Sequence, residues 1–453
     1  MAVTLSGMKA GSSLMLNRAG TLLSSKENRD SRRSEALRKQ ATNFTHELSA
    51  LKGSYVKIGQ MLALFGEHIL PQELTDALHQ LDHQTTPVAW SIVNKVIQNE
   101  LGELTEELLI DENPIAAASL GQVHRATIKQ TGEQLCLKVL YPGVQNSIDS
   151  DFNDVIRIMK LARWLDSDND LDGWLDELRQ LLHQEVDYFA EAQRTRQMQN
   201  LLENDDRYVV PTVYDRYSTG MVLALEYLQG YAVTERPVQA LAQERRTALA
   251  ESMLELFFNE VFSWGILQTD PNFGNYRIRT AEQGGQAQVP EKTQKKDQLI
   301  LLDFGAVRDY RGSFLQPLKN IIMAAHYHDN NGVIDGLVAL GCIRVSDPDS
   351  VKQEFASFCM LLLEPMRDNF DGVPDNVINT NGEYRWRESR LVKRAGKQAI
   401  NSALSQYFIL PPREFSLIVR KLIGVFSFIS VIGGEFNGYP LIERYAENHS
   451  TNG

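Results

Sequence analysis

The sequence predicts an α+β fold in two lobes, because strand signals concentrate in one stretch and helical periodicity dominates the second half of the chain. Between 115 and 140, apolar runs are separated at Gly121 and at Thr131-Gly132, which predicts a three-stranded meander. From 305 to about 445, apolar residues recur at steps of three and four. With 453 residues, 43% of them hydrophobic, the chain is long enough to bury a core in each lobe.

Composition narrows the class of protein. The 46 basic and 58 acidic residues give a net charge of −12, which argues against nucleic-acid binding. The three cysteines form no C-x-x-C pair and lie among apolar residues, as reduced core cysteines do. We predict no signal peptide, because the N-terminal segment has no continuous apolar stretch. We also predict no transmembrane helix, since the most apolar run, 422–433, is shorter than the ~20 residues that cross a bilayer. We therefore expect a cytoplasmic protein whose membrane contact, if any, is peripheral.

The first 42 residues are polar, and we expect a flexible arm followed by a helical extension over 43–110. A helix is predicted from His46, with an apolar stripe that runs to Phe65. Lys57 and Gln60 are three residues apart and therefore lie on the same side of this helix. In isolation, the pattern is also typical of a solvated Lys and Gln on an ordinary bundle helix.

The strand region contains a turn of small residues and one lysine. Ala116, Ala117, Ala118 and Ser119 stand where a nucleotide-binding lobe places the turn that covers the phosphates, although only Gly121 supplies the backbone freedom of a glycine-rich loop. Lys138 lies within an apolar strand. It is either an edge residue that reaches solvent or a lysine held inward by anionic partners, and the strand alone does not decide between them.

One long helix is predicted from 172 to 202. Its apolar face includes Glu185, which would then need a cationic partner, and Asp187 and Glu191 share the adjacent face. These acids supply at least one partner for Lys138 and potentially one for Lys57. The alternative is an acidic face in solvent.

A strand that ends at Glu226 is followed by Tyr227-Leu228-Gln229-Gly230, which is typical of a hinge between lobes. The backbone at Glu226 and Leu228 would face the edge of an adenine. The insertion over 280–298 is low in apolar residues and predicts a flexible loop.

The stretch from Gln268 to Gly305 contains the strongest chemical signal. Asp270 is followed five residues later by Asn275, and Asp303 ends an apolar strand before Phe-Gly. Phosphoryl transfer from a nucleotide needs carboxylate and amide oxygens for Mg²⁺ and a carboxylate to orient the acceptor or water. Asn275 and Asp303 suit the metal, and Asp270 suits the acceptor. Asp-Phe-Gly alone is equally typical of a strand followed by a turn.

In chain order these features resemble a protein-kinase-like bilobal fold, although G-x-G-x-x-G, His-Arg-Asp and Ala-Pro-Glu are absent from the sequence. Four motifs together resemble the UbiB, or AarF-domain, atypical kinases over roughly 45–440. They are Lys-x-Gly-Gln at Lys57, the Ala-rich turn at Ala116, Glu-x-Asp at Glu185 and Asp-Pro-Asn-x-x-Asn at Asp270. The C-terminal transmembrane hairpin of the bacterial ubiquinone members has no counterpart here.

The resemblance implies a role for each matching residue. Lys138 would contact the α- and β-phosphates of ATP and pair with Glu191. Lys57 and Gln60 would lie over the cleft, with Lys57 reaching Glu185 and Asp187. In the family this arrangement limits protein phosphorylation and leaves an Mg²⁺-dependent ATPase activity linked to ubiquinone biosynthesis.

The predicted domains are a flexible arm (1–42), a helical extension (43–110), a kinase-like N-lobe (111–228) and a helical C-lobe (229–453). The predicted function is an atypical kinase or ATPase that binds ATP and Mg²⁺ and supports ubiquinone or other isoprenoid lipid metabolism. Two alternatives remain: a small-molecule or protein kinase with an unknown acceptor, and a nucleotide-gated, lipid-binding scaffold. The expected partners are lipids or quinone precursors and quinone-biosynthesis proteins, not nucleic acid.

Overall fold

A computed structural model describes residues 26–66, 69–81, 87–165, 171–283, 296–403 and 412–450. Most of the predicted arm and the centre of the 280–298 insertion lie outside these ranges. The α-helices are α1 (Lys26–Leu51), α2 (Ser54–Phe65), α3 (Gln72–Leu78), α4 (Trp90–Leu101), α5 (Val144–Leu161), α6 (Asp172–Gln184), α7 (Tyr188–Leu202), α8 (Arg236–Gln239), α9 (Gln243–Phe258), α10 (Gly312–His326), α11 (Asn330–Ala339), α12 (Asp349–Leu362), α13 (Trp386–Ser389), α14 (Leu391–Ala403), α15 (Arg413–Ile432) and α16 (Tyr439–Ser450).

The strands are β1 (Leu108–Ile110), β2 (Ala116–Ala117), β3 (Gly121–Ile128), β4 (Gln134–Leu140), β5 (Tyr208–Val209), β6 (Val222–Glu226), β7 (Ile266–Gln268), β8 (Tyr276–Arg279), β9 (Gln298–Leu301) and β10 (Val307–Asp309). The chain separates into two compact units. The first comprises 1–193 and 212–227, and the second comprises 194–211 and 228–453.

The first unit is built on an antiparallel sheet in the order β1-β3-β4-β6, with β2 added beside β3. Alternation along β4 sends Leu135, Leu137 and Val139 to one face, where they are buried against α4. Lys138 therefore points to the opposite face, and its cross-strand neighbours are Val123 and Leu223. Helices α1, α2, α3, α5 and α6 form a second core in this unit.

The second unit is mostly helical and carries two small sheets. Strands β8 and β9 are antiparallel, with β5 parallel to β9, and β7 pairs with β10. Its core surrounds α9, α10 and α15. The pairing of β7 with β10 places Gln268, two residues before Asp270, opposite Val307, four residues after Asp303.

Two helices that the sequence predicts as continuous are broken. The helix over 172–202 is two helices, because the chain turns at 185–187 and the Asp187 carboxylate accepts the Ala190 N–H at the start of α7. The predicted apolar face through Glu185 is therefore wrong, and Phe189 is 66% exposed. The helix predicted from His46 to Phe65 is interrupted at Lys52 and Gly53, which have φ of 58° and 59°.

Helix α15 is longer than the apolar run from 422 suggested. Among the described residues, one helical segment, Glu414–Ile432, is long and apolar enough to cross a membrane, with a mean hydropathy of 2.0. About half of that window, 56%, is buried within the chain, and Phe426, Ile429 and Ile432 are among the least exposed side chains of the second unit's core. The apolar run in the sequence begins only after the charged residues Arg420 and Lys421. In the structure the helix includes both residues, and Lys421 is buried.

Candidate active site

Lys138 of the first unit is held by a buried acid. Its Nζ lies 2.5 Å from Glu191 Oε1, and Glu191 is only 5% exposed. The break before α7 brings Glu191 to the first turn of a new helix, where a carboxylate is favourable. Of the two interpretations of Lys138, the structure supports the lysine held by an anionic partner. A charge-assisted bond of this kind fixes the direction of the ammonium.

A second ion pair in the first unit joins Lys57 to Glu185, with Nζ 2.6 Å from Oε1. Glu185 follows the last residue of α6. Gln60 is buried, so the interpretation of Lys57 and Gln60 as solvated side chains does not hold. Gly59 lets α2 pack closely on Leu81, since a Cβ at Gly59 would lie 2.4 Å from that side chain. Asp187 caps α7.

The strand at the Ala-rich turn is shorter than predicted. Only Ala116 and Ala117 pair with β3, and the Ala118 N–H donates to the carbonyl of Gly121 at 2.8 Å. Ser119, the last residue of this turn, is buried. A Cβ at Gly121 would lie 2.4 Å from the carbonyl oxygen of Val139, so the close approach of β3 to β4 requires glycine.

The hinge residues fall at the boundary between units. Glu226 ends β6, its N–H donates to the carbonyl of Thr212, and its carboxylate accepts the Thr212 N–H. Leu228 is buried and is the first residue of the second unit's longer segment.

Sequence reasoning missed two residues that share the Lys138 face. Cys136 is two residues before Lys138, and burial raises the pKa of its thiol to about 11. Arg125 pairs with Cys136 across the strands, and its guanidinium lies 4.7 Å from the ring centre of Tyr227. The period-two alternation of β4, applied on both sides of Lys138, would have identified Cys136.

In the second unit, one short loop holds Asp270 and Asn275 together. The Asn275 Nδ2 donates to Asp270 Oδ2 at 2.9 Å, and the Asn272 N–H donates to Asp270 Oδ1 at 3.3 Å. The guanidinium of Arg420 lies 3.7 Å from Asp270 Oδ1. Because the amide nitrogen of Asn275 is used in this way, its Oδ1 is the atom suited to ligate a cation.

Asp303 lies just beyond β9, and its Oδ1 accepts the Gly305 N–H at 3.0 Å. The Leu302 N–H donates to the carbonyl of Asn275 at 2.9 Å, and Asn275 and Asp303 line one small cavity. Carboxylate and amide oxygens are a donor set that fits Mg²⁺. Within the described ranges no group of three or more His, Cys, Asp or Glu side chains is placed to hold a metal ion.

A buried polar cluster beneath this loop was not predicted. Glu260 and Lys421 are each 1% exposed, with Lys421 Nζ 3.3 Å from Glu260 Oε2 and 3.1 Å from Tyr276 Oη. Burial disfavours the charge of Lys421, but Glu260 and Tyr276 outweigh this effect and raise its pKa. Burial also raises the pKa of Glu260, and Lys421 counteracts that shift. The sequence signal was Glu260 inside one apolar helical run and Lys421, next to Arg420, inside another.

Comparison with known proteins agrees with this geometry. Residues 80–337 match the family model described as the ABC1 atypical kinase-like domain. The chain is 28% identical over 403 residues to "Atypical kinase COQ8, mitochondrial" of Saccharomyces cerevisiae, covering 88% of this chain and 75% of that protein. It is 30% identical over 299 residues to "Protein ACTIVITY OF BC1 COMPLEX KINASE 8, chloroplastic" of Arabidopsis thaliana, covering 64% of this chain and 37% of that protein.

Among solved structures, the complex of Rv3197 with erythromycin from Mycobacterium tuberculosis aligns with a TM-score of 0.60 at 23% identity. It covers 92% of this chain and 98% of that one, which supports the fold alone. The predicted α+β, kinase-like fold and the predicted resemblance to the UbiB proteins are confirmed. The chain belongs to the ABC1 atypical kinase-like family.

Proposed function

We propose that the chain is an ATP- and Mg²⁺-dependent atypical kinase or ATPase that supports ubiquinone or other isoprenoid lipid metabolism. The observation that carries the proposal is the part-buried ion pair between Lys138 and Glu191, at 2.5 Å. A lysine in a sheet, held by an acid on a helix farther along the chain, here α7, matches the phosphate-binding pair of kinases. Membership of the atypical kinase family supports the same activity.

Each unit contributes residues to nucleotide chemistry. From the first unit, Lys138 binds the α- and β-phosphates, the turn Ala116–Ser119 covers them, and the backbone at Glu226 meets the adenine edge. Leu228, the first residue of the second unit's longer segment, is also a proposed nucleotide-binding residue.

The remaining groups are in the second unit. Asn275 and Asp303 hold Mg²⁺, which when bound neutralises phosphate charge. Asp270 accepts the proton of an acceptor hydroxyl or orients a water molecule. The hydrogen bond from Asn275 fixes one carboxylate oxygen of Asp270, so the other faces Asn272 and Arg420.

Lys57 and Gln60, with Glu185 and Asp187, regulate which acceptor reaches the reactive phosphate. The ion pair between Lys57 and Glu185 fixes α2 against the end of α6, and this restraint favours hydrolysis over transfer to a protein. We propose that the domains follow the predicted boundaries, apart from 26–42, which α1 includes, and 194–211, which belongs to the second unit. The free thiols of all three cysteines favour a reducing compartment such as the cytoplasm. We further propose peripheral contact with a membrane, where lipids, quinone precursors and quinone-biosynthesis proteins are the partners.

The test is ATP hydrolysis with Mg²⁺ by the wild type and by Asp303→Asn. The amide cannot supply the carboxylate charge to Mg²⁺, so we expect a loss of about 100-fold or more. Asp335→Asn, at an exposed position on α11, is the matched control and should keep full activity. Each protein is assayed with and without liposomes and a phenolic quinone-precursor mimic, which should stimulate the wild type.

The outcomes separate the alternatives. Hydrolysis by Asp303→Asn at the wild-type rate would remove the assignment. Phosphate transfer to an added protein or small molecule, without hydrolysis, would favour the kinase with an unknown acceptor. Nucleotide binding without turnover under every condition would favour the lipid-binding scaffold.

A further inference from the structure

An ion pair buried in the second unit lies directly beneath the Asp270–Asn275 loop. Glu260 belongs to a π-helical turn (Asn259–Trp264) that follows α9, and Lys421 belongs to α15. Removing two charges from water carries a penalty that a hydrophobic pair of the same volume avoids. Stability of the core therefore does not by itself require charged groups at these two positions.

The pair holds both ends of the loop. Glu260 Oε1 accepts the backbone N–H of Gln268 at 3.2 Å, two residues before Asp270. Lys421 Nζ donates at 3.1 Å to Oη of Tyr276, which is the residue after Asn275. The separation of the loop's ends is thus set by two side chains that are bonded to each other.

The same connection reaches the second aspartate. Gln268 Nε2 donates to the carbonyl of Asp303 at 3.4 Å, and the Thr269 N–H and hydroxyl both donate to the carbonyl of Ala306, at 3.0 and 2.8 Å. Glu260, Lys421, Gln268, Asn275 and Asp303 line one small cavity. A change in the ion pair is therefore transmitted to the loop and to Asp303 through three or fewer contacts.

We infer that Lys421 and Glu260 are positioning residues, which fix the distance between Asp270, Asn275 and Asp303 without touching the nucleotide. The inference rests on the proposed function for its catalytic consequence and on the geometry of the second unit for its structural one. Sites that depend on alignment lose about 100-fold in rate for a displacement of about 1 Å. The charged pair gives the loop two directional bonds that an apolar pair cannot give.

The experiment replaces the pair by Glu260→Leu with Lys421→Met, a substitution that keeps the volume apolar and removes both directional bonds. Hydrogen–deuterium exchange is measured on peptides that cover 266–276, and kcat and the Kd of ATP are measured on the same protein. We expect exchange in 266–276 to rise about tenfold and kcat to fall about tenfold or more, with the Kd of ATP within about threefold.

A matched control separates positioning from stability. Glu364 and Arg394 form another ion pair of the second unit, with nitrogen 2.5 Å from oxygen, and hydrogen-bond to Tyr384 instead of the catalytic loop. The control double variant, Glu364→Leu with Arg394→Met, should change thermal stability without changing exchange in 266–276. Tyr276→Phe removes one hydroxyl only and provides a folded variant if the first double variant does not fold; it should raise exchange near 276 and lower kcat.

Unchanged exchange and unchanged kcat in folded Glu260→Leu/Lys421→Met, or in Tyr276→Phe, would overturn the inference. An equal rise of exchange in 266–276 in the control pair would overturn it as well, because the effect would then be general destabilisation. If the wild type hydrolyses no ATP, the proposed function fails, whereas the exchange experiment still decides whether the pair holds the loop.

Discussion

Gly424 of α15 packs directly on the Asp270–Asn275 loop, and this contact gives a prediction with a defined size. A Cβ at Gly424 would lie 2.1 Å from the Cβ of Pro271, the residue after Asp270. Apolar carbons in contact are about 3.5–4.0 Å apart, so Gly424→Ala requires the helix and the loop to separate by about 1.5 Å. The loop moves more readily than α15, because α15 is packed in the core over most of its length.

A displacement of about 1 Å at aligned catalytic groups costs about 100-fold in rate. We therefore expect Gly424→Ala to lower the kcat of ATP hydrolysis about 100-fold, with overpacking that destabilises the fold by about 1–3 kcal/mol. Steady-state hydrolysis is assayed well below the melting temperature, which is measured separately by circular dichroism. ATP affinity should change little, because Lys138 belongs to the other unit.

Gly396→Ala is the matched control, since this exposed helical glycine has nothing within 4 Å of its would-be Cβ. It should gain up to about 1 kcal/mol of stability from helix propensity and keep full activity. A kcat for Gly424→Ala within about threefold of the wild type would refute the reasoning, because the loop would then tolerate the added methyl group.

Further predictions concern the first unit. Glu191→Gln removes a charged bond worth about 1.5–3 kcal/mol from Lys138, so calorimetry should show an ATP affinity at least about tenfold weaker. Glu107→Gln is its control, since Glu107 pairs with Arg216 in solvent, and an unchanged affinity in Glu191→Gln would contradict the role of the pair. Because its pKa is raised to about 11, the Cys136 thiol is neutral at pH 7 and its alkylation should accelerate about tenfold per pH unit from pH 7 to 10. Rapid labelling at pH 7, absent in Cys136→Ser, would show that the thiol is not buried as described.

The sequence located the residues whose chemistry depends on short spacing. Asp270 and Asn275 meet because they are only five residues apart in one loop, and the hydrogen bond between them is 2.9 Å long. Lys138 was placed correctly on a strand, because the period-two pattern of its neighbours is strong. These features are local, so the sequence order itself carries the information.

The partner of Lys138 was harder to derive, because three acids lay within seven residues and one helix was assumed to carry them all. The helix ends after Gln184, and the Asp187 cap begins the next helix in a new direction. A capping residue in the middle of an apolar periodic pattern can end one helix and start another. The spacing of apolar residues alone does not reveal such a break. Only the resemblance to a known family separated Glu191 from Glu185 in advance.

The buried pair of Glu260 and Lys421 could not be predicted from local sequence. Glu260 and Lys421 are separated by 161 residues, and each lies in a run that periodicity assigns to the core. A charge in such a run has two physical solutions: it reaches solvent along an apolar surface, or it meets an opposite charge from elsewhere in the chain. The second solution depends on tertiary packing, and here it also determines where Gln268 and Tyr276 lie. Candidate catalytic residues are therefore found in motifs, whereas candidate positioning residues are found only when the fold brings distant helices together.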